Sequence, residues 1–172
     1  MKCPKCGYTD ELPLGNQNPK QISNEGLDLI RHFESCHLEA YLCPANVWTI
    51  GWGHTGQVDG KGVARGMTIT QEKANLLLKE DMIKYARPVI EYVNVPLTQN
   101  RFDALVSFTF NCGANALKTS TLLKLLNQGK CDEVPAQLLR WNRGGGKVLA
   151  GLTRRRQAEG HLWTTGELKF HF

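Results

Sequence analysis

Cleaving a glycosidic bond takes a carboxylic acid to protonate the leaving oxygen and a second group that attacks carbon or activates water. Glu34 fits the first need. It falls in the last turn of a helix-like stretch, before an apolar hairpin with Trp48 nearby in sequence, and partial desolvation there would help a carboxyl keep its proton near neutral pH. Taken alone, a glutamate is most often a solvated surface charge, so Glu34 depends on its surroundings for meaning. A cysteine can supply the second group. An unperturbed thiol has a pKa of about 8.5 and is only a few per cent thiolate at pH 7, but its intrinsic nucleophilicity lets a small fraction act. A lone cysteine is otherwise a small buried hydrophobe.

Other residues have weaker claims. His54 could be a ligand or shuttle a proton. Trp141 and the glycines at 144–146 could shape a sugar subsite, because aromatic faces and close backbone approach both suit carbohydrate; core packing and a plain loop account for them equally well. Cys3 and Cys6, in CPKCG, are half of a zinc knuckle. A tetrahedral structural site needs four ligands, and no second CxxC follows. His32 and Cys36 could complete the set but flank Glu34, so no metal or cofactor is expected.

The elements that must position these groups can be read from periodicity. Residues 1–21 are turn and linker chemistry around the CxxC, and 22–172 form the folded unit. Ser23 or Asn24 caps a helix in which Leu27, Ile30, Phe33 and Leu38 recur. Over 41–58 the pattern changes to aromatic and β-branched residues, with Trp48, Ile50 and Trp52 alternating as in a hairpin strand. A leucine-rich amphipathic helix begins at Thr70 and runs to Pro88 or somewhat beyond. Thr98 opens another helix, and 119 or 120, 131–140 and 152–163 supply three more.

Composition bounds the function classes. The chain has 172 residues, 41% hydrophobic and 22% charged, enough for a packed core and unlike a disordered or membrane-spanning chain. No apolar run follows the opening lysine, so no signal peptide is expected. Six cysteines at irregular spacing read as free thiols or ligands. The net charge is +5, and the segment 136–172 holds seven cations against two acids. Such a patch suits a polyanionic partner.

The segment FESCHLEAYLCPANVWTIGWGHTG resembles the catalytic helix and hairpin of the phage-type lysozymes, glycoside hydrolase family 24. The family pattern is Glu, eight residues, Asp or Cys, five residues, Thr, then GxGHT; Glu34, Cys43, Thr49 and GWGHT at 51–55 meet it. Looser similarity continues to about residue 163. The resemblance implies an α+β lysozyme-like fold, a small β-hairpin lobe packed against a larger helical lobe with a cleft between. It implies a catalytic set of Glu34, Cys43 and Thr49, a supporting His54–Asp81 pair, Arg154 approaching Glu34, and Asn111 as a substrate contact. Inverting displacement through a water oriented by Cys43 and Thr49 is implied, with a covalent thioglycoside left open.

The expected activity is a muramidase, or endolysin, hydrolysing the β-1,4 bond between N-acetylmuramic acid and N-acetylglucosamine in bacterial peptidoglycan. A cytoplasmic monomer without membrane insertion, reaching the wall through a holin pore, completes that expectation. Two other readings are a zinc-ribbon-like nucleic-acid-binding protein, with the arginines at 154–156 on phosphates, and a catalytically silent wall-binding domain.

Overall fold

A computed structural model describes residues 18–172. The expectations for Cys3 and Cys6 lie outside them. The first element, α1 (Asn24–Phe33), is capped by Ser23, whose hydroxyl accepts from the Gly26 N–H at 3.3 Å. The chain is already tied to the body before it: the Asn18 side chain donates to the Val95 carbonyl and accepts from the Leu97 N–H. Glycine is required at 26, because a Cβ there would lie 2.5 Å from Ile22 and 2.8 Å from Asp103. The helix ends at Phe33, so Leu38 is not part of its apolar stripe as the periodicity suggested. Leu38 sits in β1 (His37–Leu42) and is exposed. Spacing alone could not show that the backbone turns extended at Glu34, where φ is −107° and ψ 151°.

Antiparallel β1 and β2 (Trp48–Gly51) form the main hairpin, pairing Tyr41 with Thr49 and Leu42 with Trp48. An irregularity between His37 and Tyr41 lets the middle of β1 bond in the other direction, Ala40 N–H to the Met67 carbonyl and Ile69 N–H to Leu38. A two-residue pair, β3 (Gln57–Val58) and β4 (Lys61–Gly62), follows. Ala40, Ile50 and Val58 form a small core that reaches Leu77 of α2 (Gln71–Tyr92). This is the small lobe.

The larger lobe is helical. α2 runs through Pro88 to Tyr92, and α3 (Gln99–Cys112) is buried from Phe102 to Thr109. Gly113, with φ of 93°, turns the chain into α4 (Ala114–Thr119), which sequence periodicity missed. Ser120 caps α5 (Thr121–Asn127). The helix expected over 131–140 is a 3-10 turn, Cys131–Glu133, followed by α6 (Val134–Leu138), with Pro135 in its first turn, where a proline is tolerated. Also unforeseen is a hairpin of β5 (Arg143–Gly144) and β6 (Lys147–Val148), turned by Gly145 and Gly146 at positive φ. The last helix, α7 (Ala150–Thr165), packs on α1, α3 and α6. The α+β architecture is as the sequence implied.

Asp103 joins α3 to the start of α1. It accepts from the Ser23 N–H at 3.0 Å, from the Ser23 hydroxyl and from Gln99 Nε2 at 2.8 Å. Burial pushes its carboxyl above the ordinary aspartate value despite those donors. Between the ordinary and raised values the native chain holds a proton that the unfolded chain has released, so this residue's contribution to stability falls as pH rises through that window. The Tm of wild type minus that of Asp103→Asn is therefore expected to fall as pH rises from about 4; thermal scans showing a flat or rising difference would refute it.

Candidate active site

Glu34 is the residue at which α1 stops and the chain heads for β1. Its backbone N–H closes the helix on the Ile30 carbonyl at 3.1 Å. Its side chain is 28% exposed, while the guanidinium it meets, that of Arg155, is 3% exposed; Arg155 Nη1 donates to Glu34 Oε1 at 2.5 Å. The carboxyl therefore stands with one oxygen on a buried cation and access to solvent. Arg155 is not the arginine expected there. Arg154 is exposed on the other side of α7, because the buried face of that helix carries Arg155, Glu159 and Leu162 at spacings of four and three.

Cys43 and Thr49 come together at the far end of the β1–β2 hairpin. The Cys43 N–H bonds to the Val47 carbonyl at 3.0 Å, closing the turn, and the Thr49 hydroxyl donates to the same carbonyl at 3.0 Å. Strand alternation puts Cys43 on the face of Tyr41, and Thr49 is paired with Tyr41. Backbone hydrogen bonds from Val47 and Ala45 hold the Cys43 thiol below its ordinary value, with a smaller contribution from Thr49 and some opposition from burial. These shifts favour the thiolate, the form able to accept a proton from water.

His54 lies under the hairpin, its backbone bridged to Ile50. Its Nδ1 is 2.9 and 3.0 Å from the two oxygens of Asp81 on α2, and Nε2 is 3.2 Å from the Gln57 carbonyl. Both ring nitrogens are thus engaged in tying the small lobe to α2. Asn111 is exposed at the end of α3, next to Phe110, whose ring faces Arg155 at 5.8 Å. Trp141 is set apart from this group. Its ring meets Phe108 edge-on at 5.4 Å, and it lines a cavity of about 320 Å³ with Thr119, Ser120 and Thr121 at the junction of α4 and α5, Gln137 of α6, and Arg140.

Sequence reasoning missed what lies behind Arg155. Glu159, fully buried, has Oε1 3.5 Å from Arg155 Nε and 2.9 Å from Arg156 Nη2, and Oε2 2.8 Å from Arg156 Nε. The Ser107 hydroxyl donates to Oε1 at 2.7 Å, and Arg156 Nη1 reaches Cys112 Sγ at 2.9 Å. Burial pushes the Glu159 carboxyl up, and Arg156, Arg155 and Ser107 oppose it. Burial likewise raises Cys112. The available signal was that Glu159 is the only acid between Glu133 and Glu167 and stands three and four residues from two arginines.

Two of the three arginines at 154–156 are therefore internal, which removes the basic run from any phosphate-binding surface. No cluster of metal-ligating side chains occurs among the described residues. His32, weighed as a ligand, stacks on Phe170 with centroids 3.8 Å apart, and Cys36, Cys43 and Cys112 are free thiols.

The phage lysozyme family matches residues 31–159. The chain is 42% identical over 150 residues to the endolysin of Bacillus phage B103, covering 86% of this chain and 56% of that protein. It is 42% identical over 146 residues to the endolysin of Acyrthosiphon pisum secondary endosymbiont phage 1, covering 83% of this chain and 97% of that one. The chain thus spans little more than half of the first relative and nearly all of the second. A crystal structure of a P22 lysozyme variant superposes with a TM-score of 0.78 at 40% identity, over 83% of this chain and 97% of that chain.

Proposed function

Because the chain belongs to the phage lysozyme family, we propose that it is a muramidase that hydrolyses the β-1,4 bond between N-acetylmuramic acid and N-acetylglucosamine in bacterial peptidoglycan, as an endolysin does. Glu34 donates its proton to the glycosidic oxygen as the bond to the anomeric carbon breaks. A water held by Cys43 and Thr49 attacks that carbon from the opposite face, and its proton passes to the Cys43 thiolate. Exchange with solvent restores both groups. Arg155 orients the Glu34 carboxyl and holds its charge after donation, the part first expected of Arg154. His54 and Asp81 support the hairpin, and Asn111 contacts substrate. The enzyme acts on the wall after release across the membrane, by way of a holin pore.

The observation that carries this reading is the placement of Glu34, clamped by a buried arginine, at the junction between α1 and the hairpin whose turn brings Cys43, its thiol held below the ordinary value by backbone hydrogen bonds, beside Thr49. The exposed cations Arg140, Arg143, Lys147 and Arg154 favour encounter with an anionic envelope. The zinc-ribbon reading lacks support, since the family match accounts for residues 31–159 and Arg155 and Arg156 are buried.

Reduction of the digest products with borohydride tests the bond specificity. Digested peptidoglycan is expected to yield fragments ending in reduced N-acetylmuramic acid. Fragments ending in reduced N-acetylglucosamine or in anhydromuramic acid, or an undigested wall, would each overturn the assignment.

A further inference from the structure

We propose that Glu159 is a positioning residue for glycan cleavage, which holds the Arg155 guanidinium on the Glu34 carboxyl from inside the fold. The inference rests on Glu34 being the proton donor.

Four charges alternate in sign from the surface inward: Glu34, Arg155, Glu159, Arg156. Arg155 is long and flexible, and its contact with Glu34 is made at a partly exposed carboxyl, so the inner anchor decides whether its position is unique. That anchor is Glu159. Its carboxylate is itself fixed, by Ser107 from α3 and by both Nε and Nη2 of Arg156. Arg156 is in turn braced by Cys112 Sγ and by the Phe108 ring, 5.3 Å from its guanidinium. The Phe33 and Phe110 rings, at 5.7 and 5.8 Å, confine the Arg155 guanidinium from the sides. With Glu159 neutralised, Arg155 and Arg156 become neighbouring cations in a low-dielectric interior without the carboxylate that separates them, and mutual repulsion drives the more accessible Arg155 off its site. Glu159 touches neither substrate nor the reacting atoms, so its effect passes through Arg155.

A double-mutant cycle distinguishes this from a packing role. Turnover of purified peptidoglycan would be measured for wild type, Glu159→Gln, Arg155→Met and the double variant, well below each Tm. Glu159→Gln is expected to lower kcat by about 10–100-fold with KM within about twofold, as misplacement of an orienting group does. In the Arg155→Met background the same change should cost less than about threefold, because nothing remains for Glu159 to position. Losses that multiply, or a Glu159→Gln variant with wild-type kcat, would overturn the proposal. Should Glu159→Gln not fold, Ser107→Ala keeps every charge and loosens only the carboxylate. It should lower kcat about 3–10-fold in wild type and not at all beside Arg155→Met, and equal effects in both would be as damaging. Glu34→Gln, run in parallel, separates the two ideas: if it stays active the proton-donor reading falls, whereas if it is dead and Glu159→Gln is normal only the positioning role falls.

Discussion

Glu34→Gln is expected to lower kcat on peptidoglycan by about 10²–10⁴-fold with KM nearly unchanged. Glutamine matches glutamate in shape and keeps an oxygen for Arg155 Nη1, but it has no proton to give to a departing sugar oxygen. The deficit therefore falls on the chemical step and spares binding. Structure should be little affected, because Arg155 keeps Glu159 as its inner partner and Glu34 is partly solvated. A change of up to about 1 kcal/mol, or roughly 2–4 °C in Tm for a chain of this size, is the expected scale. A variant that clears wall suspensions within tenfold of wild type would show that the donor lies elsewhere.

The second large effect is at Cys43. Cys43→Ala is expected to lose about 100-fold or more in kcat, because the water then has no base. Cys43→Asp restores an ionised acceptor at the same place and should stay within about tenfold of wild type. Equal activity in the two variants would remove Cys43 from the mechanism. The thiol offers a second readout. Hydrogen bonds to its sulfur hold Cys43 below the ordinary thiol value, while burial holds Cys112 above it, so the thiolate persists at lower pH at position 43. Iodoacetamide near pH 7 should modify Cys43 before Cys112, with loss of activity tracking the Cys43 peptide. Prior modification of Cys112 would contradict the assignment.

Much of this arrangement was legible in the sequence. The Glu34, Cys43, Thr49 spacing with GWGHT pointed to a helix followed by a hairpin, and the hairpin register brings Cys43 and Thr49 to one turn. The His54–Asp81 contact joins elements 27 residues apart, and only the family resemblance, not periodicity, could suggest it. Local patterns failed where tertiary contacts decide. Leu38 extends a helical spacing on paper, but the backbone turns at Glu34 to make β1. A run of three arginines gives no hint of which one points inward until the phase of α7 is known, and α7 begins at Ala150, two residues before the apolar pattern suggested. The β5–β6 hairpin was hidden because two residues per strand carry no alternation, and its glycines read as a loop.

The contact between Glu34 and Arg155 spans 121 positions of sequence. During synthesis Glu34, the proposed proton donor, leaves the ribosome ahead of the helix that supplies its clamp, which is made after every other element described here. A nascent chain that stops short of α7 therefore carries its acid without the partner that orients it, and the proposed wall-cutting activity waits until α7 has been made.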